Sequence, residues 1–154
     1  SYAVRTSFIK RIGGWNSSLT VWDDWELGLR ILLNEPKMKG IFRVLAHIYP
    51  QEASITGTDF HSKAGEWEKA IEACEKDAET LTSDSLRDRI LDMLLYRRIN
   101  LAAIYDREGF PEKGEKLFKE SVSQADLSKF RKRILRFIYK YTVCGGRAGY
   151  LLWK

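Results

Sequence analysis

The sequence is poor in the residues that reinforce small proteins covalently or with a metal. It has only two cysteines, Cys74 and Cys144, and two histidines, His47 and His61. These numbers exclude a disulfide framework and make a poor set of zinc ligands. No apolar run approaches the ~20 residues that a membrane-spanning helix requires. A chain of 154 residues with 44% apolar residues can, however, bury a hydrophobic core of its own.

Glycine and proline are missing from the centre of the chain. Neither occurs between Gly65 and Gly109, whereas seven fall within residues 1–57. This shift predicts a turn-rich first part, residues 1–57, and a helical second part, residues 58–154. The expected fold class is mainly α, of the α+β type, with a small α/β portion followed by a helical bundle.

The first part has the pattern of a short helical turn over residues 7–11, one longer helix and one strand. Thr20, three residues before Asp23, resembles a capping box that opens a helix over residues 22–34, and Pro36 ends it. The helical spacing predicts a buried stripe of Trp25, Leu29, Leu32 and Leu33. Residues 41–49 are β-branched and aromatic enough to predict a strand.

The second part has the pattern of consecutive helices. Ser, Thr, Asp, Gly and Pro at the breaks predict helices over about residues 62–81, 85–107, 111–124 and 127–143, and a short terminal helix over 147–153. The second and third predicted helices carry small, aromatic and glycine residues at the spacing of a tetratricopeptide-type hairpin: Leu101, Ala102, Tyr105, Gly109, Gly114, Phe118 and Ser121. No second copy follows at a 34-residue offset, which favours a single hairpin over a repeat array.

Charge is distributed unevenly along the chain. Residues 1–57 carry a net charge of +2, residues 58–126 carry −5, and residues 127–154 carry +8 with no acidic residue at all. The helix over residues 127–143 combines this basicity with an apolar stripe, expected at Phe130, Ile134, Phe137, Ile138 and Tyr141. Two interpretations stay open. The stripe packs on the preceding hairpin, with the basic face solvated or turned toward the acidic segment 58–126, or the helix contacts an anionic membrane. Nucleic acid is not expected as a partner, because no recognised binding fold surrounds the basic residues.

Two segments near the start carry the most specific motif. Residues 8–19 read FIKRIGGWNSSL, and residues 22–31 read WDDWELGLRI, with Arg30 shortly after the acidic string Asp23-Asp24-Trp25-Glu26. Together with the later Ile48–Thr56 segment, they resemble the acceptor-side region of family 2 glycosyltransferases, which have the GT-A fold and invert the configuration of the transferred sugar. The resemblance covers about residues 3–57.

The resemblance implies a role for each matching residue. An inverting transferase needs a carboxylate to take the proton of the acceptor hydroxyl, and this role falls to Asp24, the second acid of the pair. Asp23, Trp22, Trp25 and Arg30 are expected to line the acceptor site. For Arg30, pairing with Glu26 four residues earlier is the alternative. Acids in a first helical turn are also what capping favours in any protein.

The same resemblance implies what lies outside this segment. A nucleotide-sugar donor and a divalent metal, Mg or Mn, would bind a preceding half with an Asp-x-Asp motif, so we expect the chain to be the C-terminal portion of a larger hexosyltransferase and inactive alone. No metal-binding or cofactor-binding residue is predicted in the chain itself. The acceptor would be a glycan or a lipid-linked sugar, as in polysaccharide biosynthesis. Gln51 departs from the family, in which many members have a histidine.

A second class of function stays open. The hairpin of residues 101–121 is also compatible with a helical module that binds a protein or a membrane without catalysis. A cytoplasmic location, with membrane association as an option, is expected in either case.

Overall fold

The computed structural model describes residues 3–44, 47, 49, 63, 65–146 and 149–153. Within these residues the protein is helical and contains no strand. Six α-helices follow one another, and a short 3-10 helix comes last: α1 Thr6–Arg11, α2 Asp23–Leu33, α3 Glu66–Glu79, α4 Asp84–Arg107, α5 Pro111–Gln124, α6 Lys129–Val143 and the 3-10 helix Gly149–Leu152. The mainly α class that the sequence predicts is therefore confirmed.

The chain forms two compact units, Ser1–Asp77 and Ala78–Lys154. The domain boundary expected between residues 57 and 58 lies outside the described residues. No helix of the described chain is long and apolar enough to cross a membrane.

The strand predicted over residues 41–49 is not formed in the part of that segment that the structure describes. Residues 41–44 and positions 47 and 49 are irregular, and large side chains such as Phe42 are exposed. A strand needs the backbone of a neighbouring segment for its hydrogen bonds, and no described segment offers one.

The first unit has a core of residues from α2, α3 and the turns before α2. Its buried side chains are Leu19, Val21, Leu27, Leu29, Ile31, Trp67, Ala70, Ile71 and Cys74. The stripe predicted on α2 is wrong in part: Leu29 is buried, but Leu32 is 54% exposed and Trp25 and Leu33 are half-buried. The helix is rotated so that Glu26, Leu27 and Ile31 face inward instead.

The N-terminus of α2 also differs from the predicted capping box. Trp22, and not Thr20, is the N-cap residue, and it forms no side-chain cap. The Thr20 hydroxyl instead donates to Oε2 of Glu66, at the start of α3, over 3.2 Å. A partner from a distant helix thus replaces the local one.

The second unit is built on the long helix α4, which packs against both α5 and α6. The residues of the predicted tetratricopeptide-like hairpin lie between α4 and α5, and Leu101, Ala102, Tyr105, Phe118 and Ser121 are all buried. The two backbones come so close at Gly114 that an added Cβ would lie 2.5 Å from the carbonyl oxygen of Ala102. The packing therefore requires glycine at position 114. The close approach of the two helices agrees with the small residues that the hairpin spacing places there.

Helix α6 lies on α4 through polar anchors as well as apolar contacts. The Arg131 guanidinium donates to both oxygens of Asp92 at 2.7 Å, and the Tyr139 hydroxyl donates to Oδ2 of Asp106 at 2.7 Å. Burial and the bond to Asp106 raise the pKa of Tyr139. Ser128 caps the start of the helix by accepting from the amide of Arg131.

The buried face of α6 differs from the predicted stripe. Leu135, Ile138 and Thr142 are its buried residues, whereas Phe130 and Phe137 of the expected stripe are 70% and 58% exposed. Packing on the hairpin is thus observed, but through a face rotated away from two of the aromatic residues.

Candidate functional site

The residues singled out by the sequence lie at the start of α2, in the first unit. Asp23 and Asp24 are the first two helical residues. Asp24 is exposed, and its Oδ1 accepts a hydrogen bond of 2.8 Å from the amide of Trp25. This bond satisfies one of the amide groups that the first turn of a helix leaves without a partner. The carboxylate of Asp24 is therefore oriented at an accessible helix end.

Trp22 precedes this turn in an unusual backbone conformation. Its φ of 53° and ψ of 22° lie in the left-handed region, which costs a bulky residue about 1 kcal/mol or more. Two ring contacts hold it there: an edge-on contact with Trp67 of α3 at 4.9 Å and another with Trp25 at 5.8 Å. The tryptophan cluster of Trp22, Trp25 and Trp67 therefore fixes the direction in which the chain enters α2.

Arg30 lies on another side of α2 and organises a second group. Its guanidinium binds Glu26 in a bidentate manner, with Nε–Oε1 at 2.5 Å and Nη2–Oε2 at 3.0 Å. It also donates to the carbonyl oxygens of Ile12 and Gly14, each at 2.7 Å. The pairing with Glu26, which was the alternative role for Arg30, is therefore observed, and the same side chain ties the turn after α1 to α2.

Asp77 of α3 completes this group, which we call the charged cluster: Glu26, Arg30 and Asp77. Its Oδ2 lies 3.9 Å from Nε of Arg30. Burial raises the pKa of Asp77 to about 6, the charge of Glu26 and the hydrogen bond between the two carboxyl groups add to the shift, and Arg30 opposes it. The bond with Glu26 raises the pKa of Arg30. The cluster therefore holds two carboxyl groups beside one cation.

The charged cluster lies at an open depression of about 360 Å³, lined also by Gly13, Trp15, Asn16 and Ser17. Asn16 shapes this rim, because its Oδ1 accepts from both the amide and the hydroxyl of Ser18. Next to it, burial raises the pKa of the Cys74 thiol to about 12, with Glu26 and Asp77 contributing. Cys74 is fully buried, and it therefore belongs to the core of the first unit, as the sequence predicts.

The structure brings together only some of the five predicted site residues. Trp22 and Trp25 contact each other, and Asp24 is bonded to Trp25. Arg30 lines the depression and not this group. Since each helical residue advances by about 100°, Asp24 and Arg30 point about 120° apart around α2.

Trp67 and Asp77 also belong to these groups, although no motif in the sequence marks either as a site residue. Trp67, Ala70, Ile71, Cys74 and Ala78 form the apolar face of α3, and all are buried. Asp77 follows Cys74 by three residues and precedes Ala78, so the helical period places it at the edge of that face. An acidic residue at the edge of an apolar helix face is the one feature of the sequence that could have indicated Asp77 as a partner of Arg30.

The donor set of the charged cluster does not fit a metal ion. The Arg30 guanidinium already supplies a positive charge next to both carboxyl groups, at 2.5 Å from Glu26 and 3.9 Å from Asp77. Among the described residues no three His, Cys, Asp or Glu side chains are grouped so that they could hold a metal ion. Gln51, where the glycosyltransferase pattern has a histidine, lies outside those residues.

Comparison of the chain with known protein families, with curated proteins and with solved structures finds no match.

Proposed function

We propose that the chain is the acceptor-side and C-terminal portion of an inverting glycosyltransferase that transfers a sugar from a nucleotide donor to a hydroxyl group. Residues 3–57 would then belong to a GT-A domain, whose sheet would pair with the segment over residues 41–49. The donor and a divalent metal would be bound by another part of that enzyme. The acceptor would be a glycan or a lipid-linked sugar.

The observation that carries this proposal is the start of α2. An exposed carboxylate, that of Asp24, stands in the first turn behind a strained residue, Trp22, whose ring is held by two other tryptophans. Strain in a backbone persists only where its surroundings hold it, and it concentrates at functional sites. Tryptophan faces are also common stacking surfaces for sugar rings, so the cluster suits an acceptor beside the base.

Asp24 would act as the general base. Its carboxylate would accept the proton of the acceptor hydroxyl as that oxygen attacks the anomeric carbon, and the nucleotide diphosphate would leave from the opposite face. The helix N-terminus favours the ionised carboxylate that this role requires. Trp22, Trp25 and Asp23 would hold the acceptor, whereas the charged cluster of Glu26, Arg30 and Asp77 would keep α2 and the preceding turn in place.

The test is Asp24→Asn in the full-length enzyme. Transfer should fall by about a hundredfold to ten-thousandfold, with donor binding unchanged, because only the base is lost. Asp84→Asn, which changes the first-turn acid of α4, is the matched control and should leave transfer unchanged. Near-normal turnover of the Asp24→Asn enzyme would remove Asp24 from the mechanism.

The alternative function is a helical interaction module built on the hairpin of α4 and α5. The small residues of that hairpin are used within the unit, since Ala102 and Gly114 bring the two helices together. The upstream coding sequence distinguishes the two functions. Alternating strands and helices that end in an Asp-x-Asp motif support the transferase, and an unrelated upstream region supports the module.

A further inference from the structure

Helix α6 presents a row of aromatic side chains away from α4. Phe130 is 70% exposed, Phe137 58% and Tyr141 39%. Because each helical residue advances by about 100°, these three lie within about 40° of one another around the axis. The rings of Phe137 and Tyr141 stack at 6.1 Å with an angle of 11° between their planes. We call this row the aromatic ridge.

Basic side chains lie directly beside the aromatic ridge. Lys129, Arg133, Arg136 and Lys140 are all exposed, and the helical period places them along one flank of it. Throughout the described chain, none of these four side chains has a carboxylate partner, in contrast to Arg131, which is bound to Asp92. α6 itself contains no acidic residue.

The preceding helix α5 lacks this arrangement. Its exposed Lys116 and Lys119 each have a glutamate partner on the same helix, Glu120 and Glu115. The large apolar side chains Leu117 and Phe118 of α5 are buried. Among the described residues of the second unit, exposed aromatic rings beside cations without a carboxylate partner therefore occur on α6 alone.

We propose that α6 docks on an anionic phospholipid bilayer, with the aromatic ridge at the level of the headgroups and the flanking lysines and arginines on lipid phosphates. An anionic bilayer surface can bind both the exposed aromatic rings and the basic side chains of α6. It accepts aromatic rings at its interface and attracts basic residues electrostatically. A nucleic acid duplex offers phosphates but no apolar layer for the ridge. This surface is independent of the transferase site, and its test requires no enzymatic activity.

The experiment is sedimentation of the 154-residue chain with vesicles of phosphatidylcholine alone or of phosphatidylcholine with phosphatidylglycerol. We expect binding only to the anionic vesicles, and a decrease in binding as salt is added, since salt screens surface charges. Equal binding to both vesicle types, or no binding to either, would overturn the proposal.

Two double variants separate the two components of the surface. Arg133→Gln with Lys140→Gln should lower the partition coefficient about thirtyfold, given the attraction per basic residue. Lys116→Gln with Lys119→Gln on α5 removes the same charge and should have little effect. Phe130→Ala with Phe137→Ala should lower binding about tenfold, whereas Leu86→Ala with Met93→Ala, which truncates exposed residues of α4, should not. Circular dichroism checks that each variant is folded.

Several outcomes of these variants would contradict membrane docking. Equal losses in the α6 variants and in their controls would mean that only net charge or general surface apolarity matters. Binding that depends on the basic residues but not on the phenylalanines, together with tighter retention by duplex DNA or an acidic protein than by vesicles, would assign the face to that partner instead.

Discussion

Arg30→Ala is the substitution whose effect on the first unit follows most directly from the structure. The side chain makes four hydrogen bonds, two to the Glu26 carboxylate and two to the carbonyl oxygens of Ile12 and Gly14. Glu26 is only 2% exposed. Removal of the cation would leave that charge buried next to a second carboxylate, Asp77.

The expected cost is about 3–5 kcal/mol of unfolding free energy, the range for breaking a buried ion pair by deleting one partner. Since a domain is stable by about 5–15 kcal/mol in total, the unit should lose a large share of its stability. Arg30→Lys should cost less, because it keeps the charge but loses the planar fork that binds Glu26 with two bonds.

Urea unfolding followed by tryptophan fluorescence measures this effect. Four of the five tryptophans, Trp15, Trp22, Trp25 and Trp67, belong to the first unit, so the signal comes mainly from the affected region. With a urea slope of about 1–3 kcal/mol/M, the midpoint should fall by roughly 2 M.

Two further variants make the reasoning refutable. Lys69→Ala removes an exposed ion pair with Glu66 on α3 and should leave the midpoint nearly unchanged. Glu26→Gln combined with Arg30→Met removes both charges and should be more stable than Arg30→Ala alone. If Arg30→Ala costs no more than Lys69→Ala, or if the double variant is no more stable than Arg30→Ala, then Arg30 does not stabilise the unit by neutralising the buried charge of Glu26.

Three other predictions concern packing, protonation and thiol reactivity. Gly114→Ala should destabilise the second unit by about 2 kcal/mol in urea unfolding followed by circular dichroism, because the clash with the α4 backbone outweighs the gain of about 1 kcal/mol in helix propensity; a stabilised variant would contradict the close approach. Asp77 has its pKa raised to about 6 from 3.8, so the folded protein binds a proton at this residue more tightly than the unfolded protein does. The stability that this proton contributes is fully present below pH 3.8 and is lost as the pH rises through 6. The free energy of unfolding of Asp77→Asn, compared with that of the parent protein, should therefore increase by about 2 kcal/mol from pH 4 to pH 8. If the difference between their urea midpoints stays constant over this range, the pKa of Asp77 is not raised. A thiol reagent at pH 8 should modify Cys144, which is exposed, and spare Cys74, which is buried, until denaturant is added; rapid reaction of both thiols in the native protein would contradict this burial.

The helices of the second unit were predictable because their boundaries depend on neighbouring residues. Helix α4 was expected over 85–107 and is observed over Asp84–Arg107, and α5 matches the predicted range of 111–124. Gly109, with a φ of 94°, and Pro111 in the first turn of α5 mark the break between them. Caps and breaks of this kind act within a few residues and can be identified along the chain.

The candidate site was only partly predictable, because some of its members come from distant segments. The pairing of Glu26 with Arg30 follows from their spacing of four residues. The contributions of Trp67 and Asp77 depend on how α3 lies within the first unit, which no local pattern indicates. The same applies to Thr20, whose hydroxyl bonds to Glu66 and not to the start of its own helix.

The amino-acid sequence by itself determined where most of the helices begin and end, that Asp23 and Asp24 open α2, and that the last helix is basic without a single acid. Only the tertiary structure decided which face of each helix is buried. α6 has apolar residues on more than one side. The face with Leu135 and Ile138 is buried, and the bonds of Arg131 to Asp92 and of Tyr139 to Asp106 join it to α4, so Phe130 and Phe137 face outward. The physical reason is that capping and helical periodicity are local, whereas the choice among competing faces depends on partners that another helix supplies.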